Sequence, residues 1–393
     1  MRVLHVISNL DPIIGGPATA VAGMVRAQLS AGIEASIIAT WKNPFDSTLA
    51  DGLKQGGVMI DMVGPTHGPL YRHPQLQSRL EKQIAEVDVV HIHMMWEEIQ
   101  HLAARLARGR EVPYVMTPHG MLTHWSLSKK RWKKRLYLAW RMNAHLTKAA
   151  AIHYMTDAER DNLAIANLPA ASLTIPLGVN LSEFEQLPPR GQFRRRHPQM
   201  GDRPVIAFMG RIHPGKGLEY LVPALARLSS TEAILLVIGP DSRGFRRTIE
   251  AMIAEHNLQD RVIFTGMLRG TDRVAALVDA DLFALPSDHE NFGVVVIEAL
   301  AAGLPVVVSE HVPMHRLICE AGVGSTVSQT PPALAAELDR WLSDDRLRTS
   351  ATERAIPFVH QHYDWTSIAR RWVLAYRHLV SPTQQDEDAS GDL

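Results

Sequence analysis

The chain has 393 residues, more than one hydrophobic core usually supports, so two domains are expected, each large enough for its own core. Lysine plus arginine and aspartate plus glutamate both number 41, which gives no global reason to expect nucleic acid or an acidic polymer as partner and leaves local charge runs to carry the argument. The single cysteine, Cys319, excludes an internal disulfide and any multi-cysteine metal site and fits a reducing cytoplasm, and no stretch approaches the roughly 18 apolar residues needed to span a bilayer.

In chain order, the opening apolar run is too short for a signal peptide and is broken by Asp11 and Pro12, so it reads as a first strand over 2–8. A loop ending in Gly15-Gly16-Pro17 leads into an apolar-periodic helix over 18–30, stopped by Gly32. The loop lacks Gly-x-Gly-x-x-Gly and so is no dinucleotide fingerprint. Two glycines at a helix N-terminus still either make a tight turn or let a phosphate or sugar approach the backbone. Strands recur at 34–40, 58–63, 87–93, 114–117 and 150–155 with helical stretches between most of them, the alternation of a parallel α/β sheet. His91 and His93 alternate on one strand, share a face at its carboxyl end and would look into a ligand cleft. With no third ligand of known place they are expected as structural or acceptor-contacting histidines rather than metal ligands. His119, in Thr117-Pro-His-Gly-Met121, lies just past a strand's carboxyl end, where open α/β sheets bind ligands. Thr156-Asp-Ala-Glu159 reads as a capping box.

Between these lies a basic, aromatic segment, 126–141, with six cations in the seven residues from Lys129 to Arg135. As a helix it places Trp132, Leu136 and Trp140 four residues apart on one stripe, with Lys129, Lys130, Lys133, Lys134 and Arg141 on the flanks. Two readings stay open: an interfacial helix on an anionic leaflet, or a helix that packs its aromatic stripe on the core and solvates its basic face.

Over 177–204 the pattern fails in a polar, proline-rich connection, which marks a domain boundary. The same rhythm restarts with strands at 205–209, 233–238 and 261–265 and helices at 218–228, 245–256 and 272–279. Gly210-Arg-Ile-His-Pro-Gly-Lys216-Gly217 follows a strand and opens a helix, so Arg211 and Lys216 are cations set beside free backbone N–H groups, a site for a diphosphate. It lacks Walker spacing. Asp279-Ala-Asp281 joins a helix end to a buried strand and reads as structural rather than metal-binding.

Residues 283–309 form an apolar strand, a polar turn, an almost wholly apolar helix over 293–302 and a second strand after Gly303 and Pro305. The helix N-terminus near Phe292, Gly293 and Val294 points unpaired N–H groups at the turn and favours an anion there. Glu298 is the one charge in that helix and needs a partner, either ligand hydroxyls or an arginine from a neighbouring element. Glu290, eight residues earlier, either binds the same ligand or is a solvated cap. Further helices are expected at 334–342, 347–356 and 365–379, and the polar tail 384–393 as disordered.

Glu290-Asn-Phe-Gly293 followed by Glu298 resembles the Glu-x7-Glu motif of retaining family-4 glycosyltransferases, and Gly15-Gly16-Pro17, Pro118-His119-Gly120, 176–180, Gly210-Arg211, Lys216-Gly217 and Gly239-Pro240 extend the resemblance over nearly the whole chain. It implies an α/β fold of two Rossmann-like domains facing each other across a cleft, called GT-B. Residues 1–180 would form the acceptor domain with a returning helix 365–380, residues 181–364 the donor domain, and 381–393 a disordered tail. It implies transfer of a hexose from a nucleoside-diphosphate sugar to a glycan or lipid-linked acceptor, as in bacterial exopolysaccharide, lipopolysaccharide or glycolipid assembly, with no metal and no further cofactor. His119, Arg211, Lys216 and Glu290 would carry the chemistry. Gly15, Gly16, Asn291, Phe292, Gly293, Val294 and Glu298 would join Arg211, Lys216 and Glu290 in holding the donor, and His119 would position the sugar. A cytoplasmic location is implied, with peripheral attachment to the inner face of the plasma membrane through 126–141 left open, and no nucleic acid as partner. The alternatives are a nucleotide-sugar epimerase of the two-Rossmann kind and a non-catalytic sugar-nucleotide binder.

Overall fold

The computed structural model describes residues 1–12, 16–128, 131–165, 168–290 and 292–381. Within it, short runs of β-branched and aliphatic residues are buried on both faces, the mark of strands covered by helices on either side. In the first unit these are β1 (Arg2–Ile7), β2 (Glu34–Thr40), β3 (Met59–Val63), β4 (Val89–His93), β5 (Tyr114–Thr117), β6 (Ala151–Tyr154) and β7 (Ala171–Thr174). They pair in parallel in the order β3-β2-β1-β4-β5-β6-β7. The second unit repeats the plan with β8 (Val205–Met209), β9 (Ile234–Ile238), β10 (Val262–Gly266), β11 (Leu282–Leu285), β12 (Val306–Ser309) and β13 (Gly324–Val327) in the order β10-β9-β8-β11-β12-β13. Each sheet reverses direction of growth beside its first strand, between β1 and β4 and between β8 and β11. In open α/β sheets ligands bind at the carboxyl ends of strands at such a switch point.

The units are Met1–Gly178 with Trp365–Leu393, and Val179–Asp364. The break falls at the start of the polar stretch 177–204, most of which belongs to the second unit. There the buried Asp279 carboxylate accepts from the N–H groups of Phe193 at 2.6 Å and Arg194 at 2.8 Å, capping the helix Gln192–Arg196. Asp281 meets Arg190 and Arg194 and accepts from Val205 N at 2.8 Å. Both aspartates are spent on structure.

The helix Trp365–Val380 belongs to the first unit and buries Ile368, Ala369, Trp372 and Tyr376, packing along the helix Gly16–Ser30. Its first residue explains a glycine inside that partner helix: a Cβ at Gly23 would come within 2.5 Å of the Trp365 ring. Glycine costs a helix interior about 1 kcal/mol relative to alanine and is kept here for the close approach.

The basic segment is helical among the described residues, with a π-helical turn inside it. It forms the helices His124–Ser128 and Arg131–Tyr137, a π-helical turn Leu138–Met142, and the helix Asn143–Thr147. Leu127, Leu138, Met142 and Leu146 are the residues that enter the core, whereas Trp132, Leu136 and Trp140 are 69%, 52% and 85% exposed. The aromatic stripe therefore does not pack on the core. Two of the expected flanking cations turn inward: Lys134 donates to Ser126 O at 2.7 Å, and Arg141 pairs with Glu98 at 2.8 Å. Lys129 and Lys130 lie outside the described residues, as do 382–393, which hold the expected disordered tail.

Candidate functional site

In the second unit the loops that leave β8 and β11 meet. Gly217, at φ +94°, begins the helix Leu218–Leu225, and a Cβ there would lie 2.5 Å from the Pro286 carbonyl, so only glycine lets the two loops touch. Asp288 N donates to Gly215 O at 2.9 Å, and Lys216 Nζ reaches Glu290 Oε1 at 2.6 Å. Ser287 Oγ donates to the same carboxylate oxygen at 3.0 Å. Tyr220 and Gln329 hold the Asp288 carboxylate at 3.0 and 2.8 Å, bracing the turn from both sides. Glu290 is thus neither solvated nor a cap; it is the inner partner of Lys216, and its Oε2 has no partner among the described residues. Arg211, on the same loop as Lys216, is exposed and has no side-chain partner among the described residues.

The expected free N–H groups of this loop are largely taken. Gly215 N and Gly217 N donate to the Glu219 carboxylate at 2.6 and 3.2 Å, and Lys216 N to His213 O at 3.1 Å. Glu219 is the second residue of the following helix and folds back over its N-terminus, so the cationic side chains rather than these amides are left to meet an anion. The helix Val294–Ala301 keeps the other arrangement, opening behind a left-handed Gly293 at φ +88° with Val294 exposed and Phe292 buried.

Glu298, on that helix, pairs with Arg273 Nη1 at 2.8 Å, and Arg273 Nη2 reaches Glu183 at 2.8 Å. Burial pushes the Glu298 carboxyl up, and Arg273 opposes this. Arg273 engages only Oε1, leaving Oε2 without a partner among the described residues. The arginine expected as an alternative to a ligand is present, and the second oxygen remains for one.

In the first unit His119 follows β5 with φ +52°, ahead of Gly120 at +75°, a left-handed pair that turns the chain sharply at the strand's carboxyl end. Glu159 fixes this turn: its carboxylate accepts from Gly120 N at 2.5 Å and Met155 N at 2.9 Å. Thr156 caps its helix as expected, accepting from Glu159 N at 3.1 Å, but the Glu159 side chain serves the His119 loop instead of closing a capping box. His91 and His93 do not look into an open cleft. Both are fully buried, His91 beneath the helix Trp365–Val380 with the Trp372 ring 4.8 Å from its own. With His5 they form the one group of metal-ligating side chains close enough to hold an ion among the described residues. Gly16 opens its helix and is exposed; Gly15 and Asn291 lie outside the described residues.

Ser287, Asp288, Glu219 and Arg273 were not singled out by sequence reasoning, and Glu159 was read only as part of a capping box. Each acts by bracing another residue, and the only available signal was a polar side chain within a turn or two of a glycine-rich loop.

The two halves also match known families separately. Residues 15–178 match the glycosyl transferase 4-like domain, and residues 189–357 match the glycosyl transferases group 1 family. Each half is therefore a glycosyltransferase domain, the second of the group 1 kind and the first of the 4-like kind. A glycosyltransferase of Methanocaldococcus jannaschii is 32% identical over 200 residues, 51% of this chain and 50% of that one, so the match spans half of that relative's length. The GDP-mannose:cellobiosyl-diphosphopolyprenol alpha-mannosyltransferase of Xanthomonas campestris is 26% identical, covering 99% of this chain and 100% of that one. Among solved structures, Anabaena HepE in complex with UDP and glucose superposes with a TM-score of 0.76 at 19% identity, covering 96% of this chain and 99% of that one. That likeness confirms the expected fold of Rossmann-like halves. Both matched families are glycosyltransferase families, which disfavours the epimerase and the non-catalytic binder.

Proposed function

We propose that this glycosyltransferase moves a hexosyl group, with retention of anomeric configuration and without a metal ion, from a nucleoside-diphosphate sugar to a lipid-linked acceptor at an anionic membrane surface. The observation that carries the reading is the Lys216–Glu290 pair at 2.6 Å, held at the carboxyl ends of β8 and β11 with Arg211 unpartnered on the same loop. Two cations there neutralise a diphosphate as it leaves, the role a metal fills elsewhere. The bond between the anomeric carbon and the phosphate oxygen breaks, the acceptor oxygen bonds to that carbon on the same face, and the departing phosphate oxygen takes the acceptor proton. Glu290 receives sugar hydroxyls, Glu298 receives ribose hydroxyls through Oε2, and the backbone at Phe292, Gly293 and Val294 assists, with Asn291 and Gly15 completing the expected donor set. Within the first unit the expected contacts are Gly16 and His119, of which His119, just past the carboxyl end of β5, positions the sugar.

The acceptor half of the reading rests on the exposed stripe of Trp132, Leu136 and Trp140, flanked by the exposed cations Arg131, Lys133 and Arg135. Aromatic and aliphatic side chains with cations beside them are the composition of an interfacial helix, each nearby cation contributing about 1 kcal/mol on an anionic leaflet. No helix among the described residues is long and apolar enough to cross a membrane. The relative named for cellobiosyl-diphosphopolyprenol offers a precedent for a lipid-linked acceptor.

Thermal-shift screening with UDP, GDP and ADP and their sugars tests the donor reading, since a ligand at 100 times its dissociation constant adds about 2.7 kcal/mol of stability. One nucleotide should stabilise the protein, and its sugar should be slowly hydrolysed without acceptor. Conversion of the sugar to its epimer would contradict the reading.

A further inference from the structure

A chain of hydrogen bonds runs through the core of the first unit and ends at His119. From its far end, His153 Nε2 lies 2.7 Å from Ile175 O, and His153 Nδ1 lies 2.8 Å from Thr117 Oγ1. Thr117 Oγ1 is 2.6 Å from His91 Nε2, and His91 Nδ1 is 2.6 Å from Tyr376 Oη. Tyr376 Oη is 3.2 Å from Gln28 Nε2, and Gln28 Oε1 is 2.7 Å from His5 Nε2. His5 Nδ1 then meets His93 Nε2 at 3.0 Å, and His93 Nδ1 meets His119 Nε2 at 3.2 Å. All of these side chains are buried, five of them histidines: His5 on β1, His91 and His93 on β4, His153 on β6, and His119 in the loop after β5.

Burial disfavours the charged imidazole: it holds His5 and His153 down to about 4 and His119 to about 3, and it lowers His91 and His93 well below the ordinary value, with the neighbouring imidazoles acting in the same direction. A neutral imidazole has one donor nitrogen and one acceptor nitrogen. That fixes every proton in the chain from a single end. The Ile175 carbonyl can only accept, so His153 carries its proton on Nε2 and accepts the Thr117 hydroxyl proton on Nδ1. With its proton spent, Thr117 accepts from His91 Nε2, and His91 Nδ1 accepts from the Tyr376 hydroxyl. Tyr376 must in turn accept from the Gln28 amide nitrogen, which aims the amide oxygen at His5. His5, His93 and His119 are then each protonated on Nε2, and His119 Nδ1 is left as an acceptor with no partner among the described residues.

We propose that Tyr376 on the C-terminal helix and Gln28 on the helix Gly16–Ser30 are positioning residues that lock His119 as the Nε2-protonated tautomer, so that His119 Nδ1 accepts a hydroxyl proton from the sugar ligand. The last clause rests on the donor reading above; the lock itself does not. On this assignment the histidine cluster offers no free lone pair to a metal ion: those of His5, His91 and His93 accept from His93, Tyr376 and His119.

The test is the tautomeric state of the histidines, read by long-range proton–nitrogen correlation on the ¹⁵N-histidine-labelled full chain at neutral pH. In the unmodified protein His5, His91, His93, His119 and His153 should all be neutral and protonated on Nε2. Tyr376→Phe keeps the buried ring and removes the hydroxyl, so the Gln28 amide loses its orientation; His119 should become a mixture of tautomers, with kcat down roughly tenfold and KM for the donor nearly unchanged. Thr117→Val, which also removes only a hydroxyl function, should do the same. His119 protonated on Nδ1 in the unmodified protein would overturn the proposal, as would both variants leaving its tautomer unmixed. A mixed tautomer with full transferase activity would leave the lock standing and sink the sugar contact.

Discussion

Glu290 and Glu298 stand eight residues apart in a stretch that resembles one motif, yet the structure gives them different partners and therefore different expected roles. Glu290 shares one oxygen between Lys216 and Ser287, whereas Glu298 is anchored through Arg273. Glu298→Gln should weaken binding of the free nucleoside diphosphate and of the sugar donor alike, whereas Glu290→Gln should leave the free diphosphate nearly unaffected and depress turnover. Calorimetry with both ligands checks this, and equal losses for the two variants would show the roles misassigned. The two cations also separate. Arg211→Ala and Lys216→Ala should each lose at least tenfold in activity, about 1.4 kcal/mol. Arg211 is exposed and unpartnered, so its removal should change stability by no more than about 0.5 kcal/mol. Lys216→Ala strips a mostly buried carboxylate of its partner and should lower the melting temperature as well. The motif residues themselves were legible in the sequence because chemistry demands a charge at a loop or on an apolar helix. Their braces were not: nothing local announces that Glu159 will turn from its own helix to Gly120, or that Glu219 will fill the amides of the loop before it.

At the scale of elements, central strands and their helices were read within a few residues, because a strand buried on both faces is a continuous apolar run. The two unread strands are β7 and β13, both at sheet edges. Ala171–Thr174 is exposed to half-buried along its length, and Gly324–Val327 is built from small and polar residues, so neither carries the apolar run that marks its neighbours. The segment 126–141 shows the opposite case, where an apolar stripe was legible but its direction was not. Spacing puts Trp132, Leu136 and Trp140 on one side; only the packing of Leu138 and Met142 shows that this side faces outward. The protein should therefore co-sediment with vesicles rich in anionic lipid at low salt. Trp132→Ser with Trp140→Ser should abolish this while sparing nucleotide binding, and Lys133→Gln with Arg135→Gln should weaken the binding and reduce its dependence on salt. Failure of the unmodified protein to bind at about 0.05 M salt, where screening is weak, would favour a soluble or anionic glycan acceptor.

For the molecule as a whole, the buried histidines set the response to acid. Their folded-state values lie below the ordinary value near 6.5, so the stability they permit is fully present above that pH and is lost as pH falls from about 6.5 towards 4. Each histidine that gains a proton only on unfolding adds about 1.4 kcal/mol of loss per pH unit. Arg371 near His153 works in the same direction as burial, and Glu159 beside the His119 loop, held up by its own burial, works in the opposite one. Denaturant midpoints across pH 4 to 7 should fall steeply towards acid, and a flat profile would mean that these histidines are charged or solvated. Two repeated sheets and a helix returned to the first unit follow from the chain's alternation of strands and helices; the choice of sugar and acceptor does not.

The most direct measurement of the central claim is sugar transfer from the stabilising nucleotide sugar to a polyprenyl-diphosphate glycan in the presence of EDTA, with the anomeric configuration of the new linkage read by proton NMR. Full activity under chelation and a product that keeps the donor's configuration are the predicted results. Strict dependence on a divalent metal, or an inverted linkage, would contradict the assignment of Arg211 and Lys216 as the charges that stabilise the leaving diphosphate.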